Sequence, residues 1–167
     1  MPGRAWLRLA VVGPSPSRTL ARAAVLLLVS AVTFGWLLRP VRGAGISMRP
    51  TIDDGALAFI DRTAYWWRPP ARGDIVAVQM AGPSVVFIKR VIGLPGEQIA
   101  IRDGVVEVDG RPLVEPYVAR RRPWQVAPFR LGDDEYLLIG DNRDMAAEDH
   151  DFGTAARDRL LGPVRVW

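Results

Sequence analysis

The chain of 167 residues carries a single lysine, Lys89, against 21 arginines. Arginine keeps its proton at any working pH, whereas a lysine stripped of water loses several units of pKa and can serve as a neutral base. Lys89 stands in the run VVFIKRVIG, residues 85–93, where its ammonium would meet mostly hydrocarbon. An outward-facing strand lysine is the plainer reading of the same run. Ser47 lies in Gly-Ile-Ser-Met-Arg-Pro-Thr, residues 45–51. With Gly45 and Pro50 around it, a turn there can expose the hydroxyl and leave backbone N–H groups free for an oxyanion, although an ordinary turn serine has the same neighbours. A serine hydroxyl is a poor nucleophile until a neighbour removes its proton, and a neutral amine can do so without any histidine. The one histidine, His150, has Asp141, Asp149 and Asp151 nearby in sequence. A lone imidazole among acids lacks the ligand spacing of hard-ion loops. Neither a metal site nor a Ser-His-Asp triad is read there, and His150 reads as a supporting or surface residue.

Two kinds of element must position these groups. From Ala23 to Leu38 the sequence has no charge, and with Leu20, Ala21 and a snorkelling Arg22 the stretch reaches about 20 residues, just enough to span a bilayer. Arg39, Pro40 and Arg42 follow it in place of a small-residue cleavage site, which favours a retained anchor over a removed signal peptide. Arg4, Arg8, Arg18 and Arg22 precede the span, and Arg39, Arg42 and Arg49 follow it closely. The slight bias puts the N-terminus in the cytoplasm and the chain after Pro40 outside the cell's inner (plasma) membrane, as a single-pass protein. AWLRLAVV, residues 5–12, has the composition of a short interfacial helix. Because few residues separate Leu38 from Ser47, the serine is expected near the membrane surface.

After Pro40 the pattern turns to short apolar runs between turn residues, which predicts a mainly antiparallel β domain. Strands are expected at Ala56 to Asp61, Asp74 to Met80, Ser84 to Ile92, Gln98 to Arg102, Val105 to Val108 and Tyr136 to Ile139. Asp103-Gly104 and Asp109-Gly110 are tight-turn signals that make residues 98–113 a small meander. Between Pro112 and Phe129, four prolines and the run Arg120 to Arg122 predict an excursion with little regular structure. The expected organisation is a tail and anchor over residues 1–39 and a β catalytic domain over 40–167, with a small inserted segment at about 103–135. Trp66 and Trp67, ahead of Arg68-Pro69-Pro70, read either as core or as an exposed apolar edge that dips into lipid.

The composition narrows the function further. An apolar content of 49% supports one core of ordinary size, and the absence of cysteine excludes disulfides, thiolate zinc sites and a cysteine nucleophile. The net charge of +4 suggests nucleic-acid binding, but all of the basic excess lies before Pro50, where there are seven arginines and no acid. The remainder is mildly acidic and carries neither a phosphate-binding loop nor zinc-finger spacing, so nucleic acid is set aside.

Four boxes in order give the chain a resemblance to type I signal peptidases. Ser47, Met48, Pro50 and Thr51 match that family's Ser-Met-x-Pro-Thr box, and Gly73 to Val76 match a Gly-Asp-Ile-Val strand. Lys89 to Gly96 match Lys-Arg-Val-Ile-Gly-Leu-Pro-Gly, and Gly140 to Asp144 match Gly-Asp-Asn-Arg-Asp. Order and spacing agree over about residues 40–164. The resemblance implies a signal-peptidase-like antiparallel β catalytic domain behind one N-terminal transmembrane helix. It also implies a membrane serine endopeptidase that removes signal peptides from exported preproteins, with Ser47 as nucleophile, Lys89 as general base and no cofactor or metal. The Ser47 N–H would hold the oxyanion; relatives that add a hydroxyl two residues before the nucleophile have it where this chain has Gly45. Small substrate side chains would enter shallow apolar pockets lined by Ile46, Met48 and Ile88.

The last box departs from the family's Gly-Asp-Asn-x-x-x-Ser-x-Asp-Ser-Arg-x-Phe-Gly. This chain has Ala146 for the first serine, Glu148 for the acid, Asp149 for the second serine and His150 for the arginine, while Phe152 and Gly153 keep the frame. Rival readings are a specialised maturation or conjugal-transfer peptidase of the same family, an organelle-type relative, and a non-catalytic membrane-tethered β module. A soluble self-cleaving repressor is disfavoured by the apolar span.

Overall fold

Period-two alternation in three central strands sends apolar side chains to both faces of one sheet and thereby builds the core. In the computed structural model, which describes residues 15–79 and 85–166, the chain divides into two compact units, one ending at Leu38 and one beginning at Arg39. The sequence-predicted interfacial helix of residues 5–12 lies outside the described residues.

The first unit contains helix α1, Pro16–Val32, continued by a π-helical turn over Thr33–Leu37. Ser17–Leu37 is long and apolar enough to cross a membrane, with a mean hydropathy of 1.9. Leu26, Leu27 and Leu28 are each at least 65% exposed. An apolar surface on successive residues, which point in different directions around a helix, suits lipid better than water.

The described residues from Leu38 onward, which take in the second unit, contain eleven strands. They are β1 Leu38–Arg42, β2 Leu57–Asp61, β3 Ile75–Val78, β4 Phe87–Gly93, β5 Gln98–Arg102, β6 Val105–Val108, β7 Arg111–Pro112, β8 Val126–Arg130, β9 Glu135–Ile139, β10 Gly153–Ala156 and β11 Leu160–Val166. A seven-stranded sheet runs β1-β2-β11-β3-β4-β9-β10, and a four-stranded sheet runs β7-β6-β5-β8. Every pairing with a defined register is antiparallel.

Val76 and Val78 of β3 join Val91, Tyr136 and Leu138 in one apolar cluster, while Ala77 between them joins Met48, Ile52 and Ile60 in another. Leu137 and Ile139 of β9 alternate with Tyr136 and Leu138, and pack with Ile99, Ile101 and Val106 of the smaller sheet. These clusters fix β4, which carries Lys89, from two sides, and they seat the Ser47 loop through Met48 and Ile52.

The meander forms as its sequence predicts. Arg102 pairs with Val105, Val108 pairs with Arg111, and the two Asp-Gly dipeptides between them have positive φ at both residues, the type I′ pattern. The stretch after Pro112 is more regular than expected, because Val126–Arg130 pairs with β5 as an edge strand of the smaller sheet. Trp66 and Trp67 lie on the short helix α2, Ala64–Trp67, and are 66% and 85% exposed, so they are not core residues.

Candidate active site

Ser47 sits in a chain of turns between β1 and β2. Asn142 fastens this loop from outside: its backbone N–H donates to the Ser47 carbonyl at 2.9 Å, and its side-chain amide donates to the Ile46 carbonyl at 3.0 Å. Within the loop the Arg49 N–H donates to the Ile46 carbonyl and the Ile52 N–H to the Met48 carbonyl, while Gly45 donates its N–H to Asp54 at 2.9 Å. Asp141 takes the Thr51 hydroxyl and a two-pronged guanidinium from Arg90, with Nε at 2.8 Å and the terminal nitrogen at 2.6 Å. Such planar pairing is the strong form of ion pair, and here it ties the serine loop to the residue that follows Lys89.

Gly140 explains the tightness of this contact. A Cβ on Gly140 would lie 2.2 Å from the Ser47 carbonyl oxygen and 2.8 Å from His150 Nε2, so only a residue without a side chain lets the two segments touch. The loop's outer face opens on a cleft of about 460 Å³. Ser47, Met48, Ile52, Val86, Phe87 and Ile88 are among its lining residues, with Arg39, Arg42 and Asp53 also on its wall. Ile46, expected to line a pocket, is not among them: its side chain is 43% exposed, and its carbonyl is spent on Asn142.

Lys89 is 1% exposed. Its ammonium donates to the His150 carbonyl oxygen at 2.6 Å, and the Phe87 ring lies 5.9 Å from Nζ. Burial pushes the amine down from its ordinary value to about 8, with the Asp151 charge opposing in part. Among the described residues no hydrogen bond joins Nζ to Ser47; the link is indirect. It runs from Nζ to the His150 carbonyl, from His150 Nε2 to the Gly140 N–H at 2.9 Å, and from Gly140 to the backbone of Ser47.

His150 is fully buried, at 0% exposure, which removes the surface alternative of the sequence reading and leaves the supporting one. Its ring packs edge-on to Trp124 at 4.8 Å, and burial together with the Lys89 and Arg143 charges drives its pKa down to about 3. Ala146 precedes a 3-10 turn over Ala147–Asp149, on which Glu148 and Asp149 are exposed. A backbone carbonyl, invisible in a sequence pattern, thus holds the ammonium. Sequence reasoning also missed Glu115. It is buried with Arg143 in an ion pair, and Arg143 donates through Nε to the Gly140 carbonyl at 2.9 Å. Partners 28 residues apart, one of them in a proline-rich stretch, give no local signal.

A serine on the wall of a cleft that Phe87 and Ile88 of β4 also line, with a desolvated amine on that same strand, has the parts of a hydrolase that works through a serine and needs no imidazole base. The family model described as "Signal peptidase, peptidase S26" matches residues 17–167. A probable signal peptidase I-2 of Synechocystis sp. is 34% identical over 99% of this chain and 75% of its own length. The signal peptidase I of Leptolyngbya laminosa is 36% identical over 72% of this chain, which spans 64% of that relative. A probable signal peptidase I-1 of Synechocystis sp. is 31% identical over 89% of this chain and 82% of its own length. The chain belongs to the signal peptidase family, peptidase S26.

Proposed function

We propose that Ser47 is the nucleophile and Lys89 the general base of an endopeptidase that removes signal peptides from exported preproteins. Family membership makes the chain a serine endopeptidase of the signal peptidase type. The observation that carries the residue assignment is the environment of Lys89. The only lysine among 22 basic residues is buried on a strand whose Phe87 and Ile88 line the cleft that Ser47 borders.

In this reading the neutral amine takes the Ser47 proton as the hydroxyl attacks the scissile carbonyl, forming a tetrahedral oxyanion. The Ser47 N–H, which has no carbonyl partner among the described residues, donates to that oxyanion. The ammonium then returns its proton to the departing amine, the C–N bond breaks, and an acyl-Ser47 remains. Water attacks this ester with Lys89 again as base, which frees the serine and the second product. Met48, Ile52 and Ile88 give the cleft walls that suit small apolar side chains ahead of the cut bond. We further propose that residues 1–39 form the tail and anchor, that 40–167 form the catalytic domain with its inserted segment near 103–135, and that the catalytic domain lies outside the plasma membrane.

The test is cleavage of a model preprotein by the full chain in detergent micelles, with the new N-terminus of the product sequenced. Cleavage at the signal-peptide junction by the parent, lost in both Ser47→Ala and Lys89→Arg, is the expected result. No cleavage by a well-folded parent favours the non-catalytic module, and near-parental cleavage by Ser47→Ala removes the nucleophile assignment.

A further inference from the structure

His150 touches both halves of the site with different atoms. Its carbonyl accepts the Lys89 ammonium at 2.6 Å, and its ring nitrogen Nε2 accepts the Gly140 N–H at 2.9 Å. Gly140 lies against the Ser47 carbonyl, to which Asn142, two residues on, donates its N–H. The acceptor role of Nε2 fixes the tautomer: the ring's one proton is on Nδ1, a buried atom with no hydrogen-bond partner. An imidazolium would set its Nε2–H against the Gly140 N–H, donor against donor, in a pocket that already holds the Lys89 and Arg143 cations. Trp124 at 4.8 Å and Phe152 at 6.4 Å flank the ring, which is 0% exposed.

We propose that His150 is a positioning residue, whose neutral ring holds Gly140 and whose carbonyl holds Lys89, so that the amine and the Ser47 loop keep one relative placement. The proposal rests on the Ser47–Lys89 reading above and goes beyond it, since the ring never touches the reacting atoms. It also gives the unusual Ala146–His150 segment a use: the lysine is oriented from the main chain of a residue that is itself anchored through its side chain.

The single histidine allows a test in the unaltered protein. The full chain, labelled with nitrogen-15 at histidine and held in detergent micelles, is observed by NMR between pH 5 and 8. The expected spectrum is that of the Nδ1–H tautomer throughout, with no titration. An Nε2–H tautomer, or an ordinary titration near pH 6.5, overturns the proposal whatever the activity. Kinetics supply a second arm. His150→Gln offers an amide oxygen near the place of Nε2, whereas His150→Leu leaves the buried Gly140 N–H without an acceptor. His150→Leu is expected to lose roughly tenfold or more in kcat with KM within about twofold, and to shift the midpoint of its pH–kcat profile, while His150→Gln recovers most of the rate. A folded His150→Leu with parental kcat and an unmoved midpoint contradicts the proposal. Parental cleavage by Lys89→Arg in the same assay would instead sink the dyad reading, with the tautomer result unaffected.

Discussion

At Lys89 the ammonium keeps one acceptor, the His150 carbonyl, and loses nearly all of its water, and the balance lowers its pKa to about 8. A guanidinium in that place would stay charged, so Lys89→Arg should cost about 100-fold or more in kcat, with the far-ultraviolet circular dichroism spectrum unchanged. Gly45 raises a different expectation. Relatives with a hydroxyl at this position suggest Gly45→Ser as an improvement, but Gly45 has φ +96°, a conformation that L side chains rarely adopt. Although no atom lies within 4 Å of a Cβ there, the backbone strain should lower the stability of Gly45→Ser by roughly 1 kcal/mol without raising kcat. A thermal melt and a rate measurement on the same sample check both halves. Ser47 and Lys89 could be singled out in the sequence by residue type and setting, and the Gly140–Asn142 segment only by its resemblance to a family box; the structure brings that segment onto the Ser47 loop. His150's use was not legible, since its carbonyl and its tautomer depend on tertiary placement.

Among the elements, the turn that bears Ser47 is stabilised by groups delivered from β4 and from the segment after β9. Asp141 receives both Thr51 and Arg90, and Arg90 in turn donates to the Gly73 carbonyl at 2.8 Å while its guanidinium stacks 3.9 Å from the Tyr117 ring centroid. Thr51→Val keeps the shape and removes the hydroxyl. It should therefore cost about 1 kcal/mol of stability and lower kcat several-fold, read from denaturant titration and steady-state kinetics.

Three of the strands that the sequence did not reveal share a physical cause, while a fourth, β10, is the short Gly-Thr-Ala-Ala segment with little apolar signal. β1, β8 and β11 contain Pro40, Pro128 and Pro163, and proline argues against a strand interior because it lacks the ladder donor. Two of these strands lie at sheet edges, where the missing N–H is harmless. The third, β11, lies between β2 and β3, but its register shifts between Leu160 and Gly162, so that Pro163 enters beside an irregularity. By contrast β2, β3, β5, β6 and β9 had proline-free runs rich in apolar residues, and their positions were readable to within two residues.

For the whole molecule, the charge separation and the buried ionisable groups predict how stability responds to pH. His150 has a folded-state pKa lowered to about 3, so the fold favours the neutral ring. Its contribution is fully present above the unfolded value near 6.5 and is lost as the pH falls from there toward 3, at roughly 1.4 kcal/mol per unit. Lys89 acts at the other end. Burying its cation weakens the fold below about pH 8, and that penalty is relieved as the pH rises from about 8 toward the free-lysine value. The acid-side loss should be smaller in His150→Gln, which has no ring to protonate, and melting curves of both proteins from pH 3 to 7 measure the difference. Carboxylate titration is common to the two and cancels.

The most direct measurement of the central claim is the pH dependence of kcat/KM for preprotein cleavage, which reports the ionisations of the free enzyme. With a buried lysine as base, the rate should rise with pH through a single midpoint near 8 and vanish in Lys89→Arg at every pH. A midpoint near 10.4 would mean an exposed lysine, and one near 6.5 that also disappeared in His150→Gln would mean a histidine base. Either result would contradict the assignment of Lys89 as the buried base that activates Ser47.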